Sequence, residues 1–265
     1  MKKILSAFIC CFTFILNAQE FKDVMRYEYT MTFRSVLNPD EFIKENVYLD
    51  VWDNNSRFAS EERVTFIEFV ADDKNAIYRN ESVGTPDTPT TGRNWVVTKE
   101  GAKMYYFTKV GPSFMKTEEP IGIITWEIFP EIEEYEGMKV QKAETDFGGR
   151  HWTVWFTQEI PLIDGPYKFK NLPGFVVKAV DSENDYLFEF AKSEKAQTIL
   201  QYESYEKASI VPASGLKKAR KLNAQKTFKQ ILDEQGIKIN LENNPEGEQQ
   251  LNQKQGDNTN YIERL

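Results

Sequence analysis

The sequence predicts a mainly β protein: a strongly curved antiparallel sheet, or a partly open barrel, with one C-terminal helix packed on it. Three observations predict it. Short runs with period-two alternation recur from residue 24 to residue 191, separated by turn residues. No helical pattern alternates with them, as a βαβ protein would require. A helical stripe follows only at Ser214–Gly236. The 265 residues, 14% of them aromatic, suffice for one sizeable core. We read residues 20–240 as a single domain, residues 1–19 as a signal peptide and 241–265 as a polar, disordered tail.

Lys2 and Lys3 precede an apolar run, Ile4–Leu16, and Asn17-Ala18-Gln19 forms a polar exit. That is the pattern of a secretory leader, too short for a membrane span, with cleavage after Ala18 or Gln19. The alternative is a retained anchor. Cys10 and Cys11 both lie inside the leader, in a context that does not suit lipidation, so the mature chain carries no thiol. Export places the protein in the periplasm or cell envelope, or outside the cell. Loss of Lys2 and Lys3 takes the formal charge from −8 to −10. Such a charge argues against nucleic acid as a partner. No later stretch is apolar enough to cross a membrane.

Val24–Val36 alternates, with Met25, Tyr27, Tyr29, Met31 and Phe33 on one face. Asn46–Trp52 is a second strand, and Asp53–Ser56 turns it into Arg57-Phe58. Val64–Val70 and Ala76–Arg79 are open between strand and helix. Ser82–Arg93 reads as a loop from its composition. Asn94–Thr98 and Lys103–Lys109 form a hairpin about Lys99-Glu100-Gly101. Thr125–Ile128 is a short strand and Glu131–Gly137 an acidic connection. Lys139–Thr145, Arg150–Thr157, Gly174–Val180 and Tyr186–Ala191 complete the strands. Ser214 is placed to cap the helix and Gly236 to stop it.

The densest run of unusual residues is Ala143–Val177. Gly148-Gly149 supplies a tight hairpin turn. The strand after it carries Trp152 and Trp155 on opposite faces, so both faces are at least partly covered. Glu159-Ile160-Pro161 ends that strand, Asp164-Gly165-Pro166-Tyr167 turns, and Leu172-Pro173-Gly174 launches Phe175-Val176-Val177.

Residues 140–190 resemble the GLPGLI family of secreted proteins from Gram-negative bacteria. The resemblance rests on Ala143, Gly149-Arg150, the aromatic strand Trp152–Thr157 with Trp155, Glu159-Ile160-Pro161, Asp164-Gly165-Pro166-Tyr167 and Leu172-Pro173-Gly174-Phe175-Val176. Asn171 stands where the family has its first glycine, and Phe175-Val176 replace Leu-Ile. Tyr261–Leu265 loosely resembles the family's ending. The resemblance implies a secreted envelope protein of unassigned activity, with no catalytic, cofactor or metal residues to carry over.

Candidate chemistry is sparse. His151 is the single histidine, and a strand histidine without converging ligands is read as structural. Asp164 is read as closing an Asx-type turn, and Glu159 as pairing with Arg150 or Lys168. Glu131, Glu133, Glu134 and Glu136 lack the spacing of a calcium loop and read as a solvated loop. Lys217, Lys218, Arg220, Lys221, Lys226 and Lys229 read as a solvated helix face, with an anionic lipid or a partner as the alternative. No phosphate loop, zinc motif or nucleophile elbow is present.

These residues point first to a non-enzymatic binding or accessory protein, with no cofactor, for a hydrophobic ligand or an outer-membrane partner. The ligand would lie in an aromatic concavity. An assembly factor with a packed core is the alternative. A hydrolase built on Asp164, Glu159 or His151 ranks third.

Overall fold

The structure, a computed structural model, describes residues 21–35, 38, 40–78, 95–200, 203–234, 236–238, 244–254 and 261–264. The leader read at residues 1–19 and the loop at Ser82–Arg93 lie outside the described residues.

One mixed twelve-stranded sheet organises the chain. Its strands are β1 (Lys22–Arg34), β2 (Phe42–Trp52), β3 (Asn55–Ser60), β4 (Val96–Glu100), β5 (Lys103–Val110) and β6 (Ser113–Pro120). They continue as β7 (Glu127–Tyr135), β8 (Met138–Phe147), β9 (Arg150–Thr157), β10 (Phe175–Asp181), β11 (Tyr186–Thr198) and β12 (Ser209–Ile210). The spatial order is β12-β6-β5-β4-β3-β2-β1-β11-β10-β9-β8-β7. All pairs are antiparallel except β12 with β6. The first six strands step outward from the centre; the next five start at the far edge and step back. The halves meet where β1 pairs with β11, in register from Lys22↔Thr198 to Phe33↔Tyr186 with one bulge at Glu28/Tyr29.

This order forces curvature. In a flat sheet β6 and β7 would lie ten strand spacings apart, about 48 Å. Pro120 and Glu127 are seven residues apart, a reach of at most about 25 Å. The two edges must therefore bend toward each other, although the sheet does not close.

Both faces of the middle strands are covered, as alternation in β2 illustrates. Val47 and Leu49 enter one core with Tyr29, Phe33, Trp152, Phe156, Phe175 and Phe188. Tyr48, from the opposite face of β2, enters a second core with Val64, Phe66, Ile67 and Val70. That second core is roofed by α1 (Glu61–Ala71), which settles the ambiguity at 64–70 in favour of helix. Ser60 caps it by accepting from the Arg63 N–H at 3.2 Å, and Glu61 and Glu62 oppose the helix dipole.

Other expectations need correction. Helices form at more than one place: α2 (Glu203–Glu206), α3 (Ala213–Ala224), α4 (Phe228–Glu234) and α5 (Pro245–Leu251) follow α1. The single helix read at 214–236 is two. Thr227 and Gln230 exchange side-chain and backbone hydrogen bonds of 2.9 and 3.2 Å, a capping box that starts α4 afresh. Ser214 lies inside α3, whose cap is Pro212. The tail read as disordered contains α5, and its end, Tyr261–Arg264, is docked with Ile262 and Glu263 buried. Ser113–Pro120, unread as a strand, is β6, and Glu131–Tyr135 belongs to β7.

Candidate functional site

The residues of the family-like motif fall mostly on one segment, 158–174, between β9 and β10. It does not run over the outside. Its Asp164 pairs with Lys99 of β4, and its Lys168 pairs with Glu119 of β6. β4 lies six strand spacings from β9, so the segment must cross the hollow of the curved sheet. Tyr167, Phe169 and Leu172 are fully buried there, against Trp95, Tyr106, Trp126 and Trp152. The concavity expected to hold a ligand is thus filled by the protein's own chain.

A buried segment without regular structure cannot satisfy its backbone through a ladder, so short turns, one isolated bridge and side chains share the task. Asp164 Oδ1 accepts from the Gly165 N–H at 2.8 Å, and Lys170 Nζ donates to the Gly165 carbonyl at 2.7 Å. Asn171 donates to the Ile124 carbonyl at 2.8 Å and accepts from the Trp126 indole at 2.8 Å. The Tyr29 hydroxyl donates to the Val176 carbonyl at 2.6 Å. The buried Pro166 carbonyl accepts from Phe169 N–H. Tyr167 adopts φ +53°, a left-handed conformation uncommon for a bulky residue. Gly174 sits so close to β9 that a Cβ would run into the Thr157 carbonyl oxygen, while Pro173 is exposed.

Three buried ionic clusters anchor this arrangement. Asp164 lies between Lys99 at 2.6 Å and Lys170 at 2.7 Å, with its own side chain and that of Lys170 closed to solvent. Burial would raise the Asp164 carboxyl; the two lysines override it and hold it below the ordinary value. Burial lowers Lys170, Asp164 only partly offsets this, and the nearby Lys99 cation lowers it further. The second cluster joins Lys168 to Glu119 at 2.7 Å and to Glu263 at 2.5 Å, with the Tyr167 hydroxyl donating to Glu263 at 2.6 Å. Burial would lower Lys168, but Glu263 and Glu119 outweigh it and raise the lysine above its ordinary value.

In the third, Arg150 pairs with Asp181 at 2.6 Å and Asp185 at 3.1 Å, and donates to the Tyr261 and Ile262 carbonyls. The C-terminal strap is seated by Arg150, Tyr167 and Lys168. The Arg264 N–H donates to Gly148 O at 2.7 Å, and a Cβ on Gly149 would meet the Arg264 carbonyl at 2.9 Å.

The sequence-predicted residues do not converge. Glu159 pairs with neither Arg150 nor Lys168; it is exposed and accepts from the Lys139 N–H at 3.1 Å. His151 is 45% exposed and pairs with Asp146 at 2.9 Å. Lys139 and Asp146 mark opposite ends of β8, about 23 Å apart. Trp155 is half-buried, donating to Glu133 at 3.0 Å. Glu131, Glu133 and Glu134 are exposed, as expected, but on strand β7 and not in a loop. Arg220, read as part of a solvated face, is buried: it donates to the Tyr106 hydroxyl at 2.9 Å and lies 4.3 Å from the Tyr261 ring centroid. Lys99, Lys170, Glu119 and Glu263 were not singled out by the sequence, and Lys168 was named only as a partner for Glu159, whereas it pairs with Glu119 and Glu263. The run Tyr-Lys-Phe-Lys alternates like a half-wet strand, and only the fold reveals that its lysines are buried.

Beside the segment a cleft of about 630 Å3 remains. The β2–β3 turn (Asp53, Asn54), Lys99 of β4 and Gly101 of the β4–β5 turn form one side, and Pro161, Leu162 and Ile163 the other. Val51 and Ile121 add apolar wall, and Lys170 and Asn171 lie at its inner end.

No family model matches the chain, and no curated protein matches it. Two solved structures of PNGF-II are similar in fold. In the C2 space group the TM-score is 0.50 at 14% identity, covering 75% of this chain and 32% of that one. In the P21 space group it is 0.48 at 14% identity, covering 75% and 33%. The chain spans about a third of the length of the PNGF-II chains it matches. Among the described residues, no helix is long and apolar enough to cross a membrane.

Proposed function

We propose that this chain is an exported envelope protein of the GLPGLI type that acts by binding, and that its hydrophobic ligand or outer-membrane partner engages the cleft beside segment 158–174. One observation carries the reading: with the hollow of the sheet filled, the cleft of about 630 Å3 keeps an apolar wall of Val51, Ile121, Pro161, Leu162 and Ile163 open to a ligand. Ile163 is 61% exposed at this site, a large apolar side chain left in water.

A binding role is supported by where the three hydrolase candidates fall. Asp164 is closed to solvent between two lysines, and Glu159 and His151 engage opposite ends of β8. A general acid–base pair needs its members within reach of one substrate.

The filled hollow favours a second reading, an interaction or assembly factor with a packed core. Native mass spectrometry separates the two. The mature chain, residues 20–265, is purified from the envelope of its native host. A reproducible extra mass that dissociates as a lipid-sized species supports a ligand in the cleft. A bare, fully folded mass overturns a tightly held ligand and favours a protein partner.

A further inference from the structure

The cleft is not merely apolar, because its inner end carries unbalanced charge. Lys99 and Lys170 both pair with Asp164, at 2.6 and 2.7 Å, so two cations share one carboxylate. Both lysines line the cleft, but the Lys170 side chain is closed to solvent whereas that of Lys99 is 11% exposed. Asp53, which lines the cleft, is 76% exposed and lies 3.8 Å from Lys22, so its charge is largely screened by water. The inner end therefore holds a surplus of one positive charge in a poorly hydrated setting, where an anion gains more than it would in bulk water. An ammonium has three donors, and Asp164 is the one anionic partner within ion-pair distance of Lys99 among the described residues. Lys99 shares the cleft with an apolar wall that includes the exposed Ile163.

We infer that the cleft takes a single-chain amphiphile with a terminal carboxylate, its head on the Lys99 ammonium and its alkyl chain along Ile121, Pro161, Leu162 and Ile163. This rests on the reading of the cleft as the binding site and names the class of ligand. A monoanion matches the surplus of one charge; a phosphate dianion would exceed it.

The test is isothermal titration calorimetry on residues 20–265 with dodecanoate below its micelle concentration. Dodecyltrimethylammonium, dodecanol, acetate and inorganic phosphate serve as comparison probes. Dodecanoate is expected to bind with the tightest affinity of the five. Lys99→Gln is expected to weaken it about tenfold, equivalent to about 1.4 kcal/mol. Ile163→Glu, at a position 61% exposed, replaces part of the apolar wall with a charge beside the alkyl chain and is expected to weaken all three dodecyl probes.

Equal binding of the three dodecyl probes would overturn the carboxylate assignment while leaving an apolar binding cleft. Phosphate binding as tightly as dodecanoate would overturn it in favour of a bare anion site. Unchanged dodecanoate affinity in both variants would place the ligand elsewhere and overturn the inference. No binding by any dodecyl probe would overturn the cleft as a ligand site altogether.

Discussion

The sheet is roofed on its two faces by different kinds of chain. On the outer face α1 satisfies its own backbone and needs from its side chains mainly burial: Val64, Phe66, Ile67 and Val70. On the inner face the roof is segment 158–174, whose backbone has no repeating partner. Asp164 and Lys170 satisfy the N–H and carbonyl of Gly165, short turns such as Phe169 N–H to Pro166 O satisfy others, and the Asn171 side chain ties the segment to the Ile124 carbonyl and the Trp126 indole. A helix distributes its requirements over many interchangeable positions. An irregular buried segment concentrates them on a few residues, each with its own geometry. The motif that stands out in the sequence is the segment with that burden.

The largest effect should come from breaking the inner roof at its charge. Asp164→Asn leaves Lys99 and Lys170 without an anion, and a loss of about 3–5 kcal/mol is expected in urea unfolding. A loss below about 1 kcal/mol would show that the two roofs are not different in kind. Replacing both charges, Asp164→Leu with Lys170→Met, should cost less than Asp164→Asn alone, because an apolar pair leaves no buried ion unpaired and Lys99 can turn to the cleft.

A pH series sharpens the same contrast. The Asp164 carboxyl is held below its ordinary value of 3.8 by Lys170 and Lys99. The stabilisation it provides is present above pH ~4 and is lost as pH falls through the lower, folded-state value. Arg34 and Arg150 hold Asp185 down in the same way. The wild-type protein should therefore lose stability more steeply below pH 4 than Asp164→Asn, as measured by urea midpoints. On the outer roof, Ile67→Val removes one methylene from a fully buried side chain and should cost about 1 kcal/mol. A cost as large as that of Asp164→Asn would erase the distinction.

Much of the architecture was legible because alternation reports burial directly. The strands about Tyr27–Phe33, Val47–Val51, Trp152–Phe156 and Phe175–Val177 follow from which side chains avoid water, and the Gly148-Gly149 turn from its backbone needs. Strands with mixed or charged faces were not legible. Ser113–Pro120 and the Glu131–Tyr135 part of β7 carry too little contrast between their faces to show a period of two. The capping box at Thr227–Gln230 was present in the sequence and was outweighed by the continuing stripe of apolar residues.

By itself, then, the sequence determined that the chain is mainly β, where most of its strands lie and that residues 143–177 carry unusual local demands. Those are properties of neighbours along the chain, set by hydrophobic period and backbone conformation. Only the tertiary structure decided that this segment fills the hollow, that Lys168 and Lys170 are buried, and that Glu263, about a hundred residues away in sequence, completes the Lys168 cluster. The physical reason is that a charge is stable inside a protein only beside its counter-charge, and which counter-charge arrives is fixed by strand order and curvature.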